Sequence, residues 1–348
     1  MPATFPGGQN TFVPNHEASG KLVVDFSRNP KKFDLNKYVQ VVPVKQTIGY
    51  YLLMTVEEAG RIINTNLSDF AWPDGNDAPT GTDGTESFVW QPFRTERFNY
   101  SAKLGDIAAG QADWDILNQH AAIKAQQAMT ARSQKVLTAL TTTGNYAASH
   151  TSAVASITGN TGTWAASTTA RQDIKRSLNY AADLILRDTL AGVDVNDLQI
   201  VLSPTCASSV ALSQEIVDHI KGSPEALAQI RGELPGQNAI FGLPNRLYGF
   251  NVVVEKTVKV TSKKGATRAT SYVLGSTTPF MCARPGGLVG VAGAPSFSTC
   301  TVFVYEQDEL SVETLDDRIN RRKLIRVIDN FHAVMTAPVS GFLFTSAV

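Results

Sequence analysis

The chain has 348 residues, longer than one ordinary domain and shorter than three. Its 31 basic residues balance 31 acidic ones, which excludes the positive excess a dedicated nucleic-acid binder uses to neutralise phosphates. Hydrophobic content of 43% suits a globular protein, and charged content of 18% is low, so the surface carries little self-repulsion and self-association costs it little. No apolar run approaches the ~18 residues of a membrane-spanning helix. The opening MPATFPGGQNTF has neither the basic nor the apolar region of a secretory signal. Cys206, Cys282 and Cys300 have no CxxC or zinc-like spacing and read as small buried apolar residues of a reducing compartment.

Residues 1–20, rich in Pro, Gly, Asn and Thr, lack hydrophobic periodicity and read as a mobile arm. Short apolar runs follow at 22–24, 41–44 and 50–54, with a brief helix expected over 56–63. The segment 71–86, AWPDGNDAPTGTDGTE, has four acidic residues and no basic ones. It leads into FVWQPFRTERFNY at 88–100, rich in β-favouring aromatics. Together they predict a long excursion that needs a partner surface, because a lone two-stranded ribbon is marginal in water. Strand alternation places Arg94, Glu96 and Phe98 on one face, and Phe93, Thr95 and Arg97 on the other.

Residues 112–141 contain neither Gly nor Pro, begin with Asp113 and Asp115, and run to Gly144-Asn145. This predicts a helix of about 45 Å. Its apolar stripe is narrow (Ile116, Ile123, Met129 and Val136, flanked by Leu117, Leu137 and Leu140), which suits a strut lying across a sheet. Residues 139–170 lack any charge and read as the connection between two regions. Beyond it the pattern predicts an amphipathic helix over 173–190 stopped at Gly192, a buried strand at 198–203, and helix starts at Ser203-Pro204 and Ser223-Pro224. Strands at 251–261 and 270–274 flank a basic tip at 263–265. Two long strands, 301–314 and 323–334, flank DDRINRRK at 316–323, and an apolar segment closes the chain at 337–348.

Signatures of catalysis are missing from this pattern. None of His16, His120, His150, His219 and His332 sits in an HExxH or HxH arrangement, and no GxSxG, GxxxxGK[ST] or GxGxxG occurs. The glycine-rich GGLVGVAG at 286–293 lacks the following helix that a phosphate cradle requires. The pairs Glu57-Glu58 and Asp316-Asp317 are sequence neighbours whose side chains diverge. No catalytic residue, cofactor or metal ligand is assigned. The charged tip has two readings. It is a solvated hairpin, or Asp316 and Asp317 of one copy meet Arg321 and Arg322 of another, with Arg318, Lys323 and Arg326 adding to the cluster. Exposed pairs of this kind specify geometry more than they add strength.

The order of these parts resembles the major capsid proteins of tailed bacteriophages, the HK97 fold, and within them the lambda-like coat proteins. The resemblance is carried by NYAADLILRDTLAGVDVNDLQIVLSP at 179–204, VALSQEIVDHIKG at 210–222 and FGLPNRLYGFNVVVEK at 241–256. It implies an α+β chain: an N-terminal arm with its following segment (1–65) and an E-loop (66–105). A spine helix with the first part of a P-domain (106–164) comes next, and then a central α/β A-domain (165–295). P-domain strands with the charged hairpin (296–335) and a segment returning to the A-domain (336–348) complete it.

The resemblance further implies hexamers and pentamers tiling an icosahedral shell around double-stranded DNA, contacted non-specifically, in a virion assembled in a bacterial cytoplasm. Arg94, Glu96, Arg97, Asp316, Asp317, Arg318, Arg321, Arg322 and Lys323 become the candidates for contacts between subunits. Some members carry an N-terminal scaffolding region that a protease removes. This chain starts at the arm, so a separate scaffolding protein is expected, with a portal and a possible decoration protein. Other members join subunits through an E-loop lysine. No lysine occurs between Lys45 and Lys103, so a non-covalent shell is expected. An encapsulin-like compartment shares the fold, and a soluble α/β enzyme with a dispersed site is the alternative from another class.

Overall fold

The computed structural model describes residues 33–54, 74–75, 88–111, 116–165, 172–221, 241–263, 265–284 and 298–348. The arm at 1–20, the helix expected at 56–63, the helix start at Ser223-Pro224 and the glycine-rich 286–293 lie outside them. In chain order the elements begin with β1 (Gln40–Val44), β2 (Ile48–Met54), β3 (Phe88–Arg94), β4 (Glu96–Gly105), α1 (Asp106–Gln111), α2 (Ile116–Thr141) and β5 (Thr151–Ala153). Next come α3 (Ile174–Asp188), β6 (Leu198–Leu202), α4 (Pro204–Ala211), α5 (Gln214–Lys221), β7 (Arg246–Leu247), β8 (Phe250–Val254), β9 (Val258–Val260), β10 (Thr270–Tyr272) and β11 (Phe280–Ala283). The chain ends with β12 (Cys300–Tyr305), β13 (Ser311–Asp317), β14 (Arg322–Met335) and β15 (Gly341–Thr345). This is an α+β architecture.

A five-stranded sheet is built along β14. On one edge β12 pairs with its inner half and β13 with its outer half, while β4 runs along the other edge and β1 lies parallel outside β12. The strand expected at 301–314 is therefore two strands. A 3-10 turn at Glu306–Asp308 and a left-handed Leu310 (φ 44°) interrupt it, yet both pieces stay on the same edge of β14. Four polar or acidic residues in a row, Glu306 to Glu309, have little β propensity, and the strand breaks where they fall.

Helix α2 lies across this sheet, against β14 and β4. It is described from Ile116, and the expected first turn with Asp113 and Asp115 lies outside the described residues. Its length of about 39 Å at 1.5 Å per residue still makes it a strut. The expected apolar stripe is buried only in its second half, through Ala128, Met129, Val136, Leu137 and Leu140, whereas Ile123 is partly exposed. At its C-terminus Asn145 Nδ2 donates to the Ala139 carbonyl at 2.7 Å, and the Tyr146 hydroxyl donates to the Leu140 carbonyl at 2.7 Å, satisfying carbonyls the helix leaves open. On its buried side Arg132 reaches Asp329 of β14. Nη2 donates to Oδ1 at 2.5 Å and Nε to Oδ2 at 3.0 Å, while the guanidinium also lies over the Phe331 ring.

The second sheet has six strands in the order β5-β15-β11-β6-β8-β7. Period-two alternation sends its side chains into two different cores. Leu198, Ile200, Leu202, Met281, Phe342 and Phe344 face one core, shared with Trp164, Leu178 and Ile185. Val201, Phe280, Cys282 and Leu343 face the other, shared with Leu137, Leu140, Val302 and Val304 of the α2 side. The second core thus joins both sheets. The uncharged stretch, described over 139–165, ends α2 and supplies β5 to the six-stranded sheet, with Trp164 and His150 fully buried. His150 Nε2 meets Asp188 Oδ2 at 2.9 Å and Nδ1 meets the Gly341 carbonyl at 2.8 Å, tying the connection to the end of α3 and to β15.

Helix starts follow the sequence reading at α4, where Ser203 Oγ accepts from the Cys206 amide with Pro204 in the first turn. At α3 the cap is borrowed. Asp173 is left-handed (φ 49°), and the Glu215 carboxylate of α5 accepts from the amides of Ile174 (2.6 Å) and Lys175 (3.0 Å). Gly192 is not the residue that turns α3 off. Leu190 (φ 53°) and Ala191 (φ 59°) take the left-handed conformations, and the amide of Ala191 bonds the Leu186 carbonyl.

The segment before β1 is fastened by a buried polar knot. The Tyr38 hydroxyl donates to Glu255 Oε2 at 2.5 Å, and Oε1 accepts from the Thr257 amide at 2.9 Å and from the Thr257 hydroxyl. Burial, reinforced by Glu255, pushes the Tyr38 phenol well up, and burial does the same to Tyr146. Burial also lifts the Cys206 and Cys282 thiols to about 12. The unfolded chain releases these protons first, from its ordinary thiol value of 9.0 and phenol value of 10.0 upward. The stabilisation is complete below pH 9.0 and is lost as pH climbs past it. The unfolding free energy from urea titration is expected to fall between about pH 8 and about pH 10.5, by roughly 2 kcal/mol for each of Cys206 and Cys282, and the midpoint with it. An unchanged midpoint would show that the buried groups ionise freely.

Candidate assembly surfaces

Three surfaces of the single chain are built without cover among the described residues. The first is the outer half of β14 with β13 and β4, an arm three strands wide. Register sets Asp316 opposite Lys323, Asp317 opposite Arg322 and Glu313 opposite Arg326. Asp317 Oδ2 accepts from Arg322 Nε at 2.8 Å and from Asn320 Nδ2 at 2.8 Å, and hydrogen bonds from Asn320 and then Arg322 hold its carboxyl below the ordinary 3.8. Asp317 and Arg322 thus meet inside the chain, because the antiparallel register puts them face to face. Arg326 lies 3.7 Å from Glu313. Asp316, Arg318, Arg321 and Lys323 have no ion pair among the described residues. Arg321 turns the hairpin with φ 47°, and its carbonyl accepts from the Asp106 amide at 3.1 Å, seating α1 against the tip. At the apex stands Ile319, 94% exposed, an apolar residue the charge pattern concealed.

The second surface begins at Arg94. The expected face, with Arg94, Glu96 and Phe98 together, is not what the chain makes. The strand breaks at buried Thr95, whose amide donates to the Thr47 carbonyl at 2.9 Å, and alternation restarts in a different sheet. Arg94 ends β3 opposite Ile48 and is exposed. Glu96 opens β4, 3.7 Å from Lys135 of α2, and Phe98 packs on Phe331 with ring centroids 5.1 Å apart. Arg97 forms a two-nitrogen clasp on Asp308 Oδ2, at 2.6 Å from Nη2 and 2.8 Å from Nε. That partner sits in the 3-10 turn that breaks the long strand, and spacing alone did not connect them.

The ribbon of β2 and β3 carries the contrast of two faces. Inward, Phe93 stacks on Phe303 at 4.4 Å and Tyr51 meets the same ring at 5.6 Å. The approach needs glycine at 49, since a Cβ there would stand 2.6 Å from the Phe93 ring. Outward, Ile48, Tyr50 and Trp90 are each at least 60% exposed. Cross-strand pairing puts Tyr50 opposite Pro92 on that face.

The third surface is the ribbon of β9 and β10, which among the described residues pair only with each other. Val258, Val260 and Tyr272 are exposed on it, and register sets Val258 opposite Tyr272.

Among the described residues no group of three His, Cys, Asp or Glu is placed to hold a metal ion, and no helix is long and apolar enough to cross a membrane.

No family model and no curated protein matches the sequence. Solved structures match over almost the whole chain. A phage-related protein of Bordetella bronchiseptica RB50 aligns with a TM-score of 0.58 at 16% identity, over 92% of this chain and 93% of that one. The capsid structure of cyanophage P-SCSP1u aligns at 0.54 and 10%, over 94% and 91%. The mature capsid of bacteriophage PhiM1 aligns at 0.52 and 12%, over 93% and 89%. The chain therefore has the fold of phage capsid subunits. At these identities the likeness is one of fold, and it does not single out the lambda-like group.

Proposed function

We propose that this chain is a major capsid protein whose copies form hexamers and pentamers and close into an icosahedral shell around phage DNA. The observation that supports this best is the extent of the fold likeness, which takes in more than nine tenths of the chain. In the shell reading, residues 66–105 form the E-loop, whose last strand β4 also borders β14 of the arm, and α2 is the spine. The β13–β14 arm is the P-domain tip, and the six-stranded sheet is the core of the A-domain. Arg94, Glu96, Asp316, Arg318, Arg321 and Lys323 then face neighbouring copies. Arg97, Asp317 and Arg322 shape the surfaces from within their own chain.

Partners in this reading are other copies, a separate scaffolding protein, a portal, a possible decoration protein, and DNA held non-specifically. The contacts are non-covalent, since 46–102 contains no lysine. Negative-stain microscopy with light scattering, with and without co-expressed scaffold, tests the proposal. Closed shells or capsomer rings are expected, and they should dissolve to single chains on denaturing gels. A monodisperse monomer under both conditions would overturn it.

A further inference from the structure

The β9–β10 ribbon combines two properties that a folded monomer does not need. Val258, Val260 and Tyr272 are 45%, 59% and 41% exposed, and among the described residues the ribbon has no third strand. Around them the stretch 256–275 holds Lys256, Lys259, Lys263, Lys264 and Arg268 and no acidic residue. Among the described residues Lys256, Lys259, Lys263 and Arg268 have no ion pair. A chain with balanced charge overall must carry the compensating negative charge elsewhere. Residues 71–86 hold Asp74, Asp77, Asp83 and Glu86, no basic residue, and the apolar Ala71 and Trp72. That segment belongs to the stretch between β2 and β3, whose ends pair at Met54 and Phe88.

We infer that the basic, apolar-faced β9–β10 ribbon is the docking surface for the acidic 71–86 segment of a second copy of this chain. The inference rests on the shell reading and adds to it the surface that receives this segment. Charge complementarity selects the occupant, and the exposed Val258 and Val260 argue for peptide over nucleic acid, because they offer neither a hydrogen bond to a phosphate nor a ring to a base. The contact is heterologous: each copy gives one acidic segment and accepts another, so a ring closes with every ribbon filled.

Charge exchange tests it. One variant reverses the ribbon (Lys259→Glu, Lys263→Glu, Arg268→Glu) and another the segment (Asp74→Lys, Asp77→Lys, Asp83→Lys). Particle yield is read by light scattering and microscopy, and folding of free subunits by thermal melting. Each variant alone is expected to lose yield roughly tenfold, since three attractive pairs become repulsive. Co-expression of the two should restore six-membered rings, in which the two variants alternate, whereas a five-membered ring keeps at least one repulsive contact; both reversals on one chain should restore closed shells. If a triple variant does not fold, the single changes Lys263→Glu and Asp77→Lys carry the same comparison with smaller losses.

Wild-type yield from the ribbon variant would overturn the inference, and reduced DNA retention in those particles would reassign the ribbon to nucleic acid. Recovery of six-membered rings only when both reversals share one chain would place the contact within a subunit and also overturn it. No rescue in either arrangement would do the same. Failure of the wild type itself to assemble would instead bring down the shell reading and this inference together.

Discussion

Arg132→Met is expected to lower the unfolding free energy by about 3–5 kcal/mol, read as a shift of the urea midpoint without a change in slope. Asp329 is fully buried, and its two oxygens are met by Nη2 and Nε of Arg132. Methionine keeps much of the packing on Phe331 but leaves the carboxylate without a counter-charge in a site closed to water. Glu309 adds nothing to its relief, being a second negative charge 3.7 Å from Nη1 of Arg132. The double change Arg132→Met with Asp329→Leu should recover most of the loss, because a buried pair exchanged for apolar groups is often neutral or better. Equal losses in the single and double variants would show that packing, and not the uncompensated charge, carries the effect. The same pair fixes α2 on β14, so the single variant should also reduce particle yield more than its stability loss alone accounts for.

Glu255→Leu is expected to cost about 3 kcal/mol or more, since three donors lose one acceptor group: the Tyr38 hydroxyl, the Thr257 amide and the Thr257 hydroxyl. Tyr38→Phe is the milder change, about 1–2 kcal/mol, because Thr257 still holds the carboxylate. Chemical denaturation of both single variants and the double gives the coupling between them. Additive losses would mean that the Tyr38–Glu255 contact contributes no energy of its own. The lesion has a predictable place. Tyr38 leads into β1, the outermost strand of the five-stranded sheet, so amide exchange should quicken first over Gln40–Val44.

Much of this architecture was legible in the sequence where one local rule met no competitor. Residues 198–203 read as a buried strand because the run is short, apolar and followed by a capping Ser-Pro, and β6 with α4 is what forms. The strut α2 was legible in its length and its lack of Gly and Pro. It was less legible in its burial, because the stripe runs the whole helix while only the half beside β14 finds a sheet. Misreadings fall where tertiary register takes over. Thr95 ends one strand and starts another in a different sheet, and no propensity at that residue announces the change.

The stop of α3 fell on Leu190 and Ala191, at about 1–2 kcal/mol for each left-handed residue, although Gly192 was the cheaper residue for it; both are exposed, and the chain returns to the core at Val193. Among the candidate residues, charge density pointed to the hairpin tip. Charge alone could not say that Asp317 and Arg322 would face each other, nor that Asp308 would take Arg97. Ile319 and the outward Tyr50 and Trp90 carried no signal beyond being apolar at a turn and on a strand.

The long strand β14 has a mechanical consequence. It is bonded to β4 at ten register positions from Arg322 to Phe331, and its far end from Phe331 to Met335 is bonded to β12 inside the core. Those bonds lie across the strand axis. A pull on the hairpin tip along that axis therefore strains the whole row in shear at once and does not peel it bond by bond. Tension arriving at Arg318 or Arg321 passes down β14 to the core as through a tie rod, with the Arg132 clasp on Asp329 fastening the rod to the helix halfway along. A subunit built this way resists being stretched at its tip far better than it resists being bent there.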